Sequence, residues 1–202
     1  MIPADMTRGL PAAAAAIVAA YLLGAVPFGL LLTRLFVHSD VRDQGSGNIG
    51  ATNVARVAGK KIGAATLVLD MLKGLLPVLA AKHYFAGTEL ASAVAAAAVL
   101  GHCYPVYLRF RGGKGVATGI GVFAALSPWA ALTGALAYLA AFAFTKISAV
   151  GSFALLAGVL AVSALSAPPW PPLLAAVLIS AVIVYRHGEN IRRLMRGTEN
   201  RF

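Results

Sequence analysis

The sequence predicts an all-α polytopic membrane helix bundle of about seven transmembrane helices, with the N-terminus outside and the C-terminus cytoplasmic. Three observations lead there. Of 202 residues, 59% are hydrophobic and only 12% charged, with a mean hydropathy of +0.80, whereas soluble domains carry roughly a quarter charged residues. The apolar residues gather in runs close to the ~20 residues needed to cross a bilayer. The 17 Lys and Arg against 7 Asp and Glu fall between those runs rather than along a polar face. That pattern speaks against nucleic acid and for membrane lipids and anionic substrates as partners.

The elements follow in order. Residues 10–36 run well past the h-region of a signal peptide and are closed by Arg34, so a retained first helix is expected, kinked at Pro27. Residues 62–81, 89–108 and 128–145 are clear spans; residues 116–126 are short for one. Residues 147–166 and 173–185 flank Ala167-Pro168-Pro169-Trp170-Pro171-Pro172, a stretch whose prolines are expected to hold it out of any helix. Counting the short segment gives seven spans, the preferred number, and demoting short segments to re-entrant pieces gives five. The alanine tracts at 12–16 and 93–98 read as close-packing helix surfaces. Cys103 stands alone in an apolar context, which excludes a disulfide framework and fits a packed side chain.

Orientation comes from the cations. With seven alternating helices, one face receives Arg34, Arg42, Arg56, Lys60, Lys61, Arg109, Arg111, Lys114, Lys146, Arg186, Arg192, Arg193, Arg196 and Arg201. Arg8 and Lys82 remain on the other face, and Lys73 lies within a helix. An excess of this kind marks the cytoplasmic side. It also brings two glycine-rich stretches and the basic tail to one surface.

Those stretches carry the chemistry. Gly45-Ser46-Gly47-Asn48-Ile49-Gly50 fits G-x-G-x-x-G, but no strand precedes it, which excludes a dinucleotide fold. What remains is a donor-rich turn, Gly45, Ser46, Gly47, Asn48, Thr52 and Asn53, with Arg56 one helical turn beyond Thr52, suited to phosphate. Gly112-Gly113-Lys114-Gly115 resembles half a P-loop. Leu108 and Gly115 stand where the full motif needs glycine and a hydroxyl, so nucleotide hydrolysis is not expected. Lys114 at the start of the next helix suits a phosphate, with the helix dipole adding to its charge. His187 and Asn190 share a face if the last span continues as a helix. Asp70 and Lys73, at i and i+3 inside a span, are expected to pair. His38 and Asp43 fit H-x-x-x-x-D by coincidence. The seven acidic residues are scattered, so neither a metal nor another cofactor is expected.

The run from Gly45 to Arg56 closely resembles the first motif of the acylphosphate-dependent glycerol-3-phosphate acyltransferases of bacterial membranes, the PlsY family. Residues 112–118 look like its second motif, and Arg186-His187-x-Glu189-Asn190-Ile191 with Gly197-Thr198-Glu199-Asn200 like its third. Tyr21, Leu69 and Gly101 each open further family-like segments, so the resemblance covers nearly the whole chain as one integral membrane domain, 1–202. Gln44 departs from the family, where a histidine is common.

The resemblance implies transfer of a fatty acyl group from acyl phosphate to the 1-hydroxyl of glycerol 3-phosphate, giving lysophosphatidic acid and phosphate at the cytoplasmic face of the bacterial inner membrane. The enzyme that generates the acyl phosphate is the partner it implies. Such a donor is already activated, so no enzyme nucleophile is required. Arg56, Lys114 and both glycine loops, Gly112 and Gly113 included, are expected to hold phosphate; Ser46 is expected to bind phosphate or the developing oxyanion. His187 and Asn190, by analogy with the family motif, orient glycerol 3-phosphate. Two alternatives stay open: a membrane transporter or binding protein for a phosphorylated solute, and the same transfer from acyl-CoA or acyl carrier protein.

Overall fold

The computed structural model describes residues 4–166 and 170–202. Helices are α1 (Ala4–Gly24), α2 (Phe28–Val37), α3 (Ala51–Ala58), α4 (Lys60–Tyr84), α5 (Glu89–Cys103), α6 (Val116–Leu126), α7 (Pro128–Thr145), α8 (Ser148–Leu165), α9 (Trp170–Arg186) and α10 (Gly188–Met195). Among the described residues there is no strand. Five segments are long and apolar enough to cross a membrane: Gly9–Val37, α4, Glu89–Leu108, α7 and α8. A sixth, made of α9 and α10, bends by 58° at its break. Helix α6 is shorter: at 11 residues it is about 16 Å long, roughly half the hydrocarbon thickness.

Two expectations about proline need correction. Pro27 does more than kink the first span: α1 stops at Gly24 and α2 restarts at Phe28, because proline lacks an N–H and crowds the preceding turn. Conversely, Trp170-Pro171-Pro172 do not stay out of helix. They form the first turn of α9, where N–H groups have no intrahelical partner anyway. Residues 167–169 of that stretch lie outside the described residues.

Small residues set the packing. A side chain at Gly24 would overlap Ala98, and one at Gly101 would overlap the Tyr21 carbonyl, so α1 and α5 meet backbone to backbone. Gly74 against Thr118 and Gly121 against Met71 do the same for α4 and α6. Helix α5 forms the centre, with Val94, Ala95, Ala98 and Val99 at 0–1% exposure.

Two lysines inside the bundle find oxygen partners. Lys73 Nζ lies 2.7 Å from Asp70 Oδ1 and donates to Val26 O at 2.7 Å. The pair expected from its spacing thus also satisfies a carbonyl beside the Pro27 break, which lipid could not do. Lys82 Nζ donates to Ala125 O at 2.8 Å, capping the end of the short α6. Cys103 is wholly buried in the main core cluster.

Candidate active site

One cavity of about 500 Å³ collects residues from distant parts of the chain. Ser46, Asn48, Thr52 and Arg56 reach it from the first glycine loop and α3, Lys114 from the second loop, His187 and Asn190 from the α9–α10 break. An apolar wall continues it: Leu67 and Met71 of α4, Ile120 of α6, Leu139 and Phe142 of α7. Leu67 and Leu139 are also 40% and 59% exposed on the bundle surface, so the cavity is open sideways toward lipid.

The first loop is held by Asn53, 2% exposed. Its Oδ1 accepts from Ser46 N at 2.8 Å, while Nδ2 donates toward the carbonyls of Val41, Gln44 and Asn48 at 3.2, 3.0 and 2.9 Å. Asn48 Oδ1 in turn accepts from Gly50 N at 2.9 Å. Gly45 and Gly47 have φ of +60° and +68°, a region that glycine enters without the Cβ penalty. This loop aims Ser46 and Asn48 into the cavity and starts α3, which carries Thr52 and Arg56. Asn53 borders the cavity, yet its amide is spent on the loop, and Gly45 and Gly47 shape the turn without lining the cavity.

The second loop differs from its sequence reading. Gly112 N donates to Cys103 O at 3.2 Å and Gly113 N to His102 O at 3.0 Å, so neither N–H is available to a phosphate. Their carbonyls accept from Arg186, at 2.8 and 3.1 Å. A side chain at Gly113 would collide with the His102 ring. These glycines let the loop fold flat on α5, and Lys114, Gly115, Val116 and Ala117 are left to line the cavity at the N-terminus of α6.

Electrostatics follow from burial. Among the described residues neither Arg56 nor Lys114 has a carboxylate within 4 Å. Burial pulls the Lys114 amine down to about 8, against a smaller upward pull from Glu199. His187 is 2% exposed, and burial pushes its imidazole down to about 4. Its Nδ1 sits 2.8 Å from Ile183 O. The neutral ring therefore donates from Nδ1 and keeps Nε2 as an acceptor. The helix does not continue straight through this histidine, as the spacing argument assumed: it breaks there, and Asn190 rides on α10. Asn190 Nδ2 donates to Glu199 Oε1 at 2.9 Å, and Arg193 Nε to Glu199 Oε2 at 2.9 Å. With the amide nitrogen held, the Asn190 oxygen stays available as an acceptor.

Sequence reasoning missed several cavity residues. Glu199 and Phe202 arrive because the tail folds back, Phe202 N bonding Lys146 O at 2.9 Å and its ring lying 5.6 Å from the Arg56 guanidinium. His102, Tyr138, Ser148 and Ser152 also line the cavity. Glu199 was visible inside the third motif. Phe202 lies in the tail beyond α10, and His102, Tyr138, Ser148 and Ser152 sit in apolar helices with no local signal. His38 and Asp43 do not line the cavity.

Comparison with known proteins bears on this geometry. The family model described as glycerol-3-phosphate acyltransferase matches residues 14–197. A glycerol-3-phosphate acyltransferase of Anaeromyxobacter sp. (strain Fw109-5) is 52% identical over 191 residues, covering 92% of this chain and 94% of the relative. One of Myxococcus xanthus (strain DK1622) is 51% identical over 183 residues, covering 90% and 95%. The crystal structure of PlsY, an integral membrane glycerol 3-phosphate acyltransferase, in its glycerol 3-phosphate form superposes with a TM-score of 0.90 at 41% identity, covering 95% of this chain and 96% of that one. Its lysophosphatidic acid form gives 0.88 at 40% identity, with 95% of each chain covered. A helical membrane bundle with this cavity, matched along nearly its whole length, belongs to the glycerol-3-phosphate acyltransferase family.

Proposed function

We propose that this chain moves a fatty acyl group from acyl phosphate to the 1-hydroxyl of glycerol 3-phosphate, releasing lysophosphatidic acid and phosphate. One observation carries the reading: a single cavity presents two cations, Arg56 and Lys114, with no carboxylate within 4 Å among the described residues, at one end and a lipid-open apolar wall at the other. That is the shape of a substrate pair with two phosphates and one long chain. Solved PlsY structures exist in glycerol 3-phosphate and lysophosphatidic acid forms, which supports the acceptor and the product.

The mechanism we infer is direct transfer. Arg56, Lys114 and the first turn of α6 hold the phosphates side by side. Ser46 donates to a phosphate or to the carbonyl oxygen. Asn190 and His187 Nε2 accept from the glycerol hydroxyls and orient O1 at the carbonyl carbon. The O1–C bond forms, the bond from carbon to the bridging phosphate oxygen breaks, and phosphate leaves with that electron pair. The hydroxyl proton passes to His187 Nε2 or to the departing phosphate. Alignment alone is worth roughly 7–11 kcal/mol.

The active face is cytoplasmic in this reading, since the cavity is lined by Arg56 and Lys114, on the cation-rich side. The bundle spans seven times in the bacterial inner membrane as one domain, 1–202, and receives its donor from the enzyme that makes acyl phosphate. Purified protein given labelled glycerol 3-phosphate with palmitoyl phosphate, palmitoyl-CoA or palmitoyl carrier protein tests this. Lysophosphatidic acid from palmitoyl phosphate alone, abolished by Lys114→Ala, is the expected result. Product from the thioesters instead overturns the donor, and no product with any donor overturns the reaction in favour of a carrier or binding protein.

A further inference from the structure

Three hydroxyls from three helices form a chain along the cavity. Thr52 Oγ1 of α3 lies 3.1 Å from Ser148 Oγ of α8, and Ser148 Oγ lies 2.9 Å from Tyr138 OH of α7. All three residues line the cavity. Three O–H groups sharing two hydrogen bonds leave one proton without a partner in the chain, whichever way the bonds run. A hydroxyl proton pointing into a largely apolar space is costly unless an acceptor meets it.

The position of the chain says which acceptor. Its first member stands one helical turn from Arg56, at the cationic end. Its last stands on α7 beside Leu139 and stacks on Phe142, at a centroid distance of 5.9 Å, on the apolar wall. In an acylated phosphate substrate, the group joining the charged head to the hydrocarbon tail is the carbonyl, which is an acceptor only. We propose that Tyr138, held by Ser148 and Thr52, donates its O–H to the acyl carbonyl oxygen and stabilises the negative charge that develops there; this rests on the acyl-transfer reading above. As O1 bonds to the carbonyl carbon, the C=O π pair moves onto oxygen and the Tyr138 hydrogen bond shortens. Collapse restores C=O and expels phosphate with the bridging oxygen's electron pair, so Tyr138 keeps its proton throughout. Ser148 and Thr52 are positioning residues: they fix the phenol in place and polarise its O–H.

Tyr138→Phe keeps the ring and removes the donor. The expected result is a kcat about 10²-fold lower, as for loss of one oxyanion donor, with KM for glycerol 3-phosphate within about two-fold of the parent. Ser148→Ala should lower kcat about ten-fold, and the double variant should be little slower than Tyr138→Phe, because residues of one network are not additive. Bound lysophosphatidic acid with a ¹³C-labelled ester carbonyl supplies a readout without turnover: its infrared C=O stretch should move to higher frequency in Tyr138→Phe. Parental kcat and an unmoved stretch in Tyr138→Phe, while Lys114→Ala is inactive, overturn this inference and leave the proposed reaction intact. A rise in KM for glycerol 3-phosphate with parental kcat also overturns it, by placing Tyr138 at the acceptor. If the parent works only with a thioester donor, the donor assignment falls, and the same comparison on that carbonyl decides the role of Tyr138. A parent inactive with every donor overturns both.

Discussion

Lys114 and His187 answer burial in opposite functional directions. Lys114, down at about 8, is still mostly cationic at pH 7 and loses its charge as pH rises through 8. His187, down at about 4, is neutral at every pH above about 5 and stays an acceptor. The pH dependence of kcat/KM, which reports the free enzyme, should therefore fall on the alkaline side near 8 with no limb near 6.5 from this histidine. In Lys114→Arg, whose cation survives to pH 12, the alkaline limb should vanish even if the plateau is lower. An unshifted limb in that variant would assign the titration elsewhere. Asn53 gives a second prediction at this scale. Asn53→Ala takes the side-chain partner from Ser46 N and from the Val41 and Asn48 carbonyls, and leaves Gln44 O with Gly47 N alone; it should cost about 1–3 kcal/mol. It should lower the melting temperature and raise KM for the phosphate substrates together, because the same amide holds the loop and aims Ser46.

Between elements, the decisive contact joins the broken first span to α4. Among the described residues, the Asp70–Lys73 pair, both 2% exposed, is where the Pro27 break meets a side-chain donor from another helix. Removing one partner strands the other charge in a dry interior, typically at 3–5 kcal/mol. Lys73→Met and Asp70→Asn should each destabilise the protein by that order in detergent thermal melts. Lys73→Met combined with Asp70→Asn should recover part of the loss, since no lone charge is left. Strict additivity would show that the two side chains act independently. His102, whose Nδ1 lies 3.7 Å from Asp70 Oδ1 and whose carbonyl anchors Gly113, ties this pair to the loop that carries Lys114. Structural support and site therefore share one polar thread through an otherwise apolar bundle.

At the scale of the whole molecule, the short α6 makes the cavity. It packs on both α4 and α7 and is only about half as long as the hydrocarbon is thick, which leaves space beside its N-terminus, open sideways at the exposed Leu67 and Leu139. The orientation of the bundle is testable through topology. In a Cys103→Ala background, a single cysteine at Arg111 should react with a membrane-impermeant thiol reagent only after cell lysis. One at Thr88, across the membrane in this arrangement, should react in intact cells. Equal accessibility of both positions would refute this orientation.

Much of this was legible in the sequence. Hydropathy and run length determine that the chain is a helical membrane protein, because lipid tolerates no unsatisfied backbone and leaves few alternatives. Polar and basic residues beside glycines marked Ser46, Arg56, Lys114, His187 and Asn190 as a group, because charges are costly in such a chain unless something meets them, and all five line the one cavity. Tertiary structure alone decided the division of labour. Asn53, Gly112 and Gly113 looked like ligands and serve as scaffold, since a hydrogen bond has a partner only once loops are placed against helices. Tyr138 and Ser148 carried no local mark, since a hydroxyl in an apolar helix joins a site only when folding brings distant segments into hydrogen-bond reach.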